Sequence, residues 1–428
     1  MTPMGFKSII NTVCLGIAFM TGVSCSQRQV DNQSENLQKP KEVTAKDILG
    51  NPNYQAICYE GYREKSREIQ PTIDQLKEDL KILEAMDIKI VRTYNVQFPH
   101  ASNLLKAIHE LKTADPSFEM YVMLGAWIDC KNAWTDQEPD HEVESEQNAG
   151  EIDRAVALAN QYPDIVKVLA VGNEAMVRWA TSYFVQPSVI LKWVNHLQSL
   201  KAKGKLPKDL WITSSDDFSS WGGGDSSYHT ADLAKLVKAV DYISFHTYPF
   251  HNSHYNPNFW KVPVEESKLS EIEKVDKAML RARDFAKAQY DSVASYVKSL
   301  GLEKPIHIGE TGWASVSDGL YGADGSRAAD EYKQGLYYKH MREWTNAAGI
   351  SCFFFEAFNE QWKDAANPIG SENHFGLFGL KGEAKFALWD LVDKGAFEGF
   401  TRGGNSIAKT HNGDKEGLLK TVSAPPSK

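Results

Sequence analysis

The sequence predicts an α/β fold, a (β/α)8 barrel forming a single catalytic domain. Three observations lead there. Eight short apolar runs punctuate the chain, helical stretches separate them, and most of the runs are continuous rather than alternating. Continuous apolar runs are the mark of parallel strands buried on both faces. In order the runs are residues 55–59, 87–94, 119–128, 165–172, 210–215, 239–246, 305–310 and 350–356. The first helix covers 71–86, opening at Pro71-Thr72, with Ile73, Leu76, Leu80, Leu83 and Met86 on one face. Residues 150–161, 186–203, 280–300 and 327–348 carry the same periodicity. Strand and helix in strict alternation close most simply into a barrel. The competing arrangement is an open doubly wound sheet, and it is weakened because no GxGxxG follows the first strand. Residues 49–400 therefore form one domain with no internal linker, and 251–279 are its largest insertion, on the face that carries the strands' C-terminal ends.

The ends of the chain read differently. Residues 1–24 have Lys7 ahead of an apolar stretch from Ile9 to Met20, a signal-peptide pattern too short for a membrane span of about 20 residues. Gly22-Val23-Ser24-Cys25 resembles a bacterial lipoprotein cleavage box, with Gly22 where leucine is usual, so Cys25 is the expected lipidation site. Residues 25–48, rich in Gln, Asn, Lys and Glu, read as a flexible tether, and 401–428 as a poorly ordered tail. The expected location is a bacterial cell envelope, lipid-anchored at the outer membrane and facing the periplasm or the exterior. A formal charge of −9 gives no electrostatic basis for nucleic-acid binding. Of five cysteines, Cys58, Cys130 and Cys352 lie beyond the leader, on or beside strand-like runs. They read as buried thiols, not as a disulfide framework or a zinc site. No metal or other cofactor is called for, and nothing in the sequence demands more than a monomer.

Chemistry enters at the strand ends. The fourth strand closes on Asn173-Glu174 and the seventh on Gly309-Glu310-Thr311-Gly312-Trp313. In a β/α barrel both positions open into the active site. Two converging carboxylates suit glycosidic cleavage, one donating a proton to the leaving oxygen and the other attacking the anomeric carbon. Asn173 is placed to hydrogen-bond a sugar hydroxyl. Eleven Trp, 17 Tyr and 19 Phe supply flat faces for stacking on sugar rings, and the candidates are Tyr94, Trp221, Trp313, Trp362 and Phe375.

Further motifs occur in a recognisable order. They are Ile57-Cys58-Tyr59, Val91-Arg92-Thr93-Tyr94, Val171-Gly172-Asn173-Glu174, Gly309 to Trp313, Phe355-Glu356 through Glu360-Gln361-Trp362-Lys363, and Glu372-Asn373-His374-Phe375. Over about residues 52–398 the chain resembles the family 17 glycoside hydrolases, a group of β-1,3-glucanases and β-1,3-glucanosyltransferases. The resemblance implies a retaining mechanism with Glu174 as acid/base and Glu310 as nucleophile. It also implies substrate contacts from Tyr59, Arg92 and Glu356, a polar network of Glu360, Lys363 and Glu372, and a Tyr248 hydroxyl that orients the nucleophile. His246 stands where the family commonly has Asn. The implied partner is β-1,3-glucan of the laminarin type. Three other readings keep much of this frame: a transferase with the same pair, a barrel acting on another β-linked glycan, and a non-catalytic glucan-binding lipoprotein.

Overall fold

The computed structural model describes residues 43–428; the leader, Cys25 and all but the last residues of the tether lie outside that range. Eight parallel strands close a barrel: β1 (Gln55–Cys58), β2 (Ile88–Arg92), β3 (Tyr121–Ala126), β4 (Val166–Asn173), β5 (Trp211–Asp217), β6 (Ile243–His246), β7 (Ile306–Gly312) and β8 (Cys352–Phe355). Each pairs with its sequence neighbour, and β1 joins β8 through Ala56↔Phe353 and Ile57↔Phe354. The strands are apolar on both sides because the barrel interior fills one face and the helices cover the other.

The helices are α1 (Ile73–Glu84), α2 (His100–Ala114), α3 (Gln147–Gln161), α4 (Pro187–Ala202), α5 (Ala231–Ala239), α6 (Glu271–Ser299), α7 (Glu331–Ala348) and the short α8 (Trp389–Asp393). Thr72 and Gln75 form a capping box that starts α1, and Leu76, Leu80 and Leu83 turn inward. Pro187 opens α4, and Gly349 ends α7 at φ +65°, a left-handed cap that glycine adopts without strain. Two helices, α2 and α5, go beyond those expected. The insertion after β6 is shorter than expected because α6 begins at Glu271. Its capping box, Ser270 with Glu273, marks that start.

Both edges of the domain need correction. The tether ends before residue 48: Ala45–Ile48 is a capped helical turn with Ala45 and Ile48 fully buried. Residues 401–428 are packed, not frayed. Arg402 is buried and donates to Asp79 through Nε (2.9 Å) and Nη2 (3.1 Å). Asp79 also accepts from Arg63 at 2.7 Å and from the Tyr59 hydroxyl at 3.1 Å. Further on, Val262 and Lys428 donate backbone N–H groups to Pro426 and Val262 respectively. The tail lacks apolar periodicity, and its anchors, the buried Arg402–Asp79 ion pair among them, have partners far away in the chain, so they leave no local pattern. Arg402→Ala takes one of two cations from buried Asp79 and leaves Arg63 on it. It is expected to lower unfolding free energy by about 1.5–3 kcal/mol, the worth of hydrogen bonds to a charged group, measured by urea denaturation; a loss below about 1 kcal/mol would show that the tail does not brace α1.

Candidate active site

Polar side chains gather where the strands end. Gly172, at φ +81°, could not carry a Cβ without meeting Ala175 at 2.8 Å. Glu174 itself sits at φ +47°, unusual for a residue with a side chain. Its N–H is held by the Ser215 carbonyl at 2.9 Å. The backbone is thus bent sharply at the catalytic position and fixed there by the neighbouring strand.

Glu310 accepts three hydrogen bonds. Tyr248 donates to Oε1 at 2.5 Å, and Tyr94 and Arg92 donate to Oε2 at 2.8 and 3.0 Å. Burial opposes ionisation of this carboxyl. His246, the Arg92 guanidinium and the two phenols together outweigh it and hold Glu310 below the usual carboxylate range. Burial pushes both phenols well above their ordinary values, so they stay protonated as donors. Arg92 also donates to Asn173 Oδ1 at 2.6 Å, which turns the Asn173 amide nitrogen away from the guanidinium.

Glu174 is driven the other way. Burial, then the charge of Glu310, pushes its carboxyl up to about 8. One oxygen of each carboxylate and a nitrogen of His246 all lie within 4.8 Å of one another. That is the close spacing of a retaining pair, short of the roughly 6.5–9.5 Å of inverting enzymes. Two carboxyls with opposed environments suit one to give a proton and the other to attack.

His246 joins them. Arg92 Nη1, which can only donate, is 3.2 Å from Nε2, and Ser215 Oγ is 2.8 Å from it. Nε2 is therefore the acceptor, and Nδ1–H donates to Glu174 Oε1 at 3.0 Å. Burial pushes the imidazole down to about 4, so the ring is neutral at pH 7. With Oε1 accepting from His246, the acidic proton of Glu174 resides on Oε2. Both ring nitrogens are engaged by protein, so His246 positions Glu174 and is not a sugar contact. Glu174, His246 and Glu310 could also present ligands to a cation. Arg92 already occupies Nε2 and a Glu310 oxygen, and competes directly with one.

On the β8 side, Lys363 donates to Glu356 at 2.9 Å and lies 3.5 Å from Glu360. Burial opposes its charge, but the surrounding carboxylates outweigh it and raise its pKa. Glu360 accepts from the Trp362 indole at 2.8 Å. One ring face of Trp362 lies under the Arg67 guanidinium at 4.3 Å. Glu372 is exposed at the rim, and its charge reaches Glu174 and Glu310.

Four expected contacts are not in the cleft. Trp221 and Trp313 are fully buried, their indole N–H groups donating to the carbonyls of Ser244 (2.9 Å) and Ala328 (2.8 Å). Phe375 is buried edge-on behind Tyr248 at 6.0 Å. Tyr59 points outward to Asp79. Each lies one or more residues past a strand end, where side chains turn back between barrel and helices. Other residues went unrecognised. Glu60 pairs with buried His100 at 3.3 Å. Asp216, pushed by burial up to about 7, caps the Met176 N–H at 2.7 Å. Glu60 follows the end of β1 and Asp216 is the penultimate residue of β5, the same kind of position that marked Glu174. A surface hollow of about 820 Å³ is lined by Asn51, Tyr54 and Arg342, at the opposite end of the barrel.

Residues 56–376 match the BtgE/BtgC glycoside hydrolase domain. The crystal structure of an endo-laminarinase from Formosa Hel1_33_131 superposes with a TM-score of 0.90 at 68% identity, covering 90% of this chain and 98% of that one. The glycoside hydrolase family 17 β-1,3-glucanosyltransferase of Rhizomucor miehei shares the fold, with a TM-score of 0.52 and 20% identity over 77% of this chain and 94% of its own. The btgC protein of Aspergillus niger is 24% identical over 311 residues, 71% of this chain but 37% of the relative. The chain thus spans well under half the length of that relative. It belongs to the BtgE/BtgC glycoside hydrolases, the family 17 type to which its ordered motifs point.

Proposed function

We propose that the protein hydrolyses β-1,3-glucan of the laminarin type with retention of configuration. The carrying observation is the Glu174–Glu310 pair: one carboxyl held protonated and one held ionised, close together at the ends of β4 and β7. The 68% identity to an endo-laminarinase supports the substrate class and endo action. Glu310 attacks C1 of the bound sugar while Glu174 Oε2 protonates the departing glycosidic oxygen. The C1–O bond breaks and a covalent glycosyl-Glu310 ester forms. Glu174, now ionised, takes a proton from water, whose oxygen attacks C1 and releases Glu310. Tyr94 and Tyr248 stabilise the carboxylate as it leaves. Asn173 offers its amide N–H to the sugar hydroxyl beside C1. We further propose a monomer tethered to a bacterial envelope membrane through lipid on Cys25; among the described residues no helix is long and apolar enough to cross one.

Laminarin incubated with the full chain should yield a ladder of laminari-oligosaccharides with growing reducing ends and β-configured first products by NMR. Products longer than the supplied oligosaccharide would instead assign transfer. Laminarin bound but uncut would assign a binding protein, and laminarin neither bound nor cut would assign another β-glycan.

A further inference from the structure

Trp134 is one of several large apolar side chains exposed among the described residues, at 63%, and it stands out because its ring is held in an aromatic tier. It sits on a hairpin, Cys130–Lys131 paired with Asp140–Glu144, inserted between β3 and α3. The backbone at Trp134 is left-handed, φ +60°. Its ring is not loose. It stacks on Tyr183 with centroids 4.9 Å apart and planes at 22°, and Tyr183 in turn packs on Trp127 at 5.4 Å. Tyr183 lies on the loop that follows Glu174. Hairpin and loop are tied together: Cys130 N–H donates to the Tyr183 carbonyl at 3.1 Å, and His141 stacks on Phe184 at 3.7 Å. Asp129, beside the tier, takes the Trp127 indole N–H at 3.3 Å and also interacts with Ser145 and Trp134, which ties the tier to the hairpin.

Location decides what such a tier would hold. It stands on the loops after β3 and β4, the latter being the strand whose end carries Glu174, and the Tyr183 hydroxyl feels the charges of Glu174, Asp216 and Glu310. Glu174 protonates the departing oxygen, so the departing half of the chain leaves on its side. The Lys363–Glu356–Glu360 cluster stands on the loop after β8, the side of the half that Glu310 retains.

We propose that Trp134, braced by Tyr183 and Trp127, is a stacking subsite for the glucosyl units on the leaving side of the scissile bond. The hairpin thereby sets the preference for long glucan chains. This rests on the β-1,3-glucanase reading above. An exposed indole face held flat by Tyr183 matches the apolar face of a β-glucosyl ring.

The test compares two substrates in the full chain. Laminarihexaose fills both sides of the cleft. Laminaribiosyl fluoride fills only the retained side, because its leaving group is fluoride. Trp134→Ala should raise KM for laminarihexaose about tenfold, the worth of one aromatic face. It should leave kcat/KM for laminaribiosyl fluoride unchanged, and Trp134→Phe should restore most of the hexaose KM. If Trp134→Ala alters both substrates equally, or neither, the subsite is overturned while the β-1,3-glucanase reading stands. If the parent turns over neither substrate, the substrate reading falls and the subsite with it.

Discussion

Glu310→Ala should cut laminarin turnover by at least about 10⁴-fold, and Glu174→Ala by about 10²–10⁴-fold. The two losses should differ in kind. Without Glu310 no glycosyl ester forms, whatever the leaving group. Without Glu174, a substrate whose leaving group needs no proton, such as laminaribiosyl fluoride, should still load Glu310. Azide separates them further. In Glu174→Ala it enters the space of the lost carboxyl, attacks the ester from the leaving side and yields the β-glycosyl azide. In Glu310→Ala it attacks from the nucleophile's side and yields the α anomer. NMR of the products reads the roles directly, and the reverse pairing of anomers would exchange the assignments.

The second large effect is on pH dependence. The active form has Glu174 protonated and Glu310 ionised. Activity should fall as pH rises through about 8, where Glu174 loses its proton. It should also fall as pH drops through the lowered Glu310 value, below the ordinary 4.5. Arg92 holds the acid limb down. His246 gains a proton only at about 4, so above that pH Arg92 is the cation that faces Glu310, and below it His246 joins Arg92 in holding the carboxylate ionised. Arg92→Met removes both a charge and a donor from a buried carboxylate, a loss of roughly 3–4 kcal/mol, or about 10²–10³-fold in kcat/KM. It should also move the acid limb towards neutrality. Arg92→Lys, which keeps the charge but not the fork, should lower kcat/KM and leave the acid limb near its place. A kcat/KM profile of Arg92→Met with an unmoved acid limb would show that the phenols and His246 keep Glu310 ionised without it.

These effects share a source in how Arg92 is placed. It reaches three strands at once, touching Glu310 on β7, His246 on β6 and Asn173 on β4. A guanidinium suits this because its donors are fixed in one plane. The His246 that replaces the family's usual Asn adds a further link, from Arg92 to Glu174 Oε1, and so assigns the proton of the acid to its other oxygen.

How much of this was legible beforehand divides cleanly by range. The eight strands, most of the helices and the two glutamates at strand ends are local facts. Continuous apolar runs, helical spacing and a carboxylate at a strand end are written in a few consecutive residues, and a barrel turns strand ends into one site. The helix starting at Glu271 was also local, in the Ser270–Glu273 capping box, though the longer insertion was read over it. What the sequence could not show depends on which way a side chain turns after its strand ends. Trp221, Trp313, Phe375 and Tyr59 looked like cleft residues by position, yet packing takes them inward or outward. The tail at 401–428 and the Trp134 hairpin are held by partners far away in the chain: Asp79 for Arg402, and Tyr183 for Trp134. Opposite ionisation of two identical side chains is the extreme case. Burial penalises both Glu174 and Glu310, and they differ in the charges and donors gathered round each from distant strands, which only the closed barrel brings together.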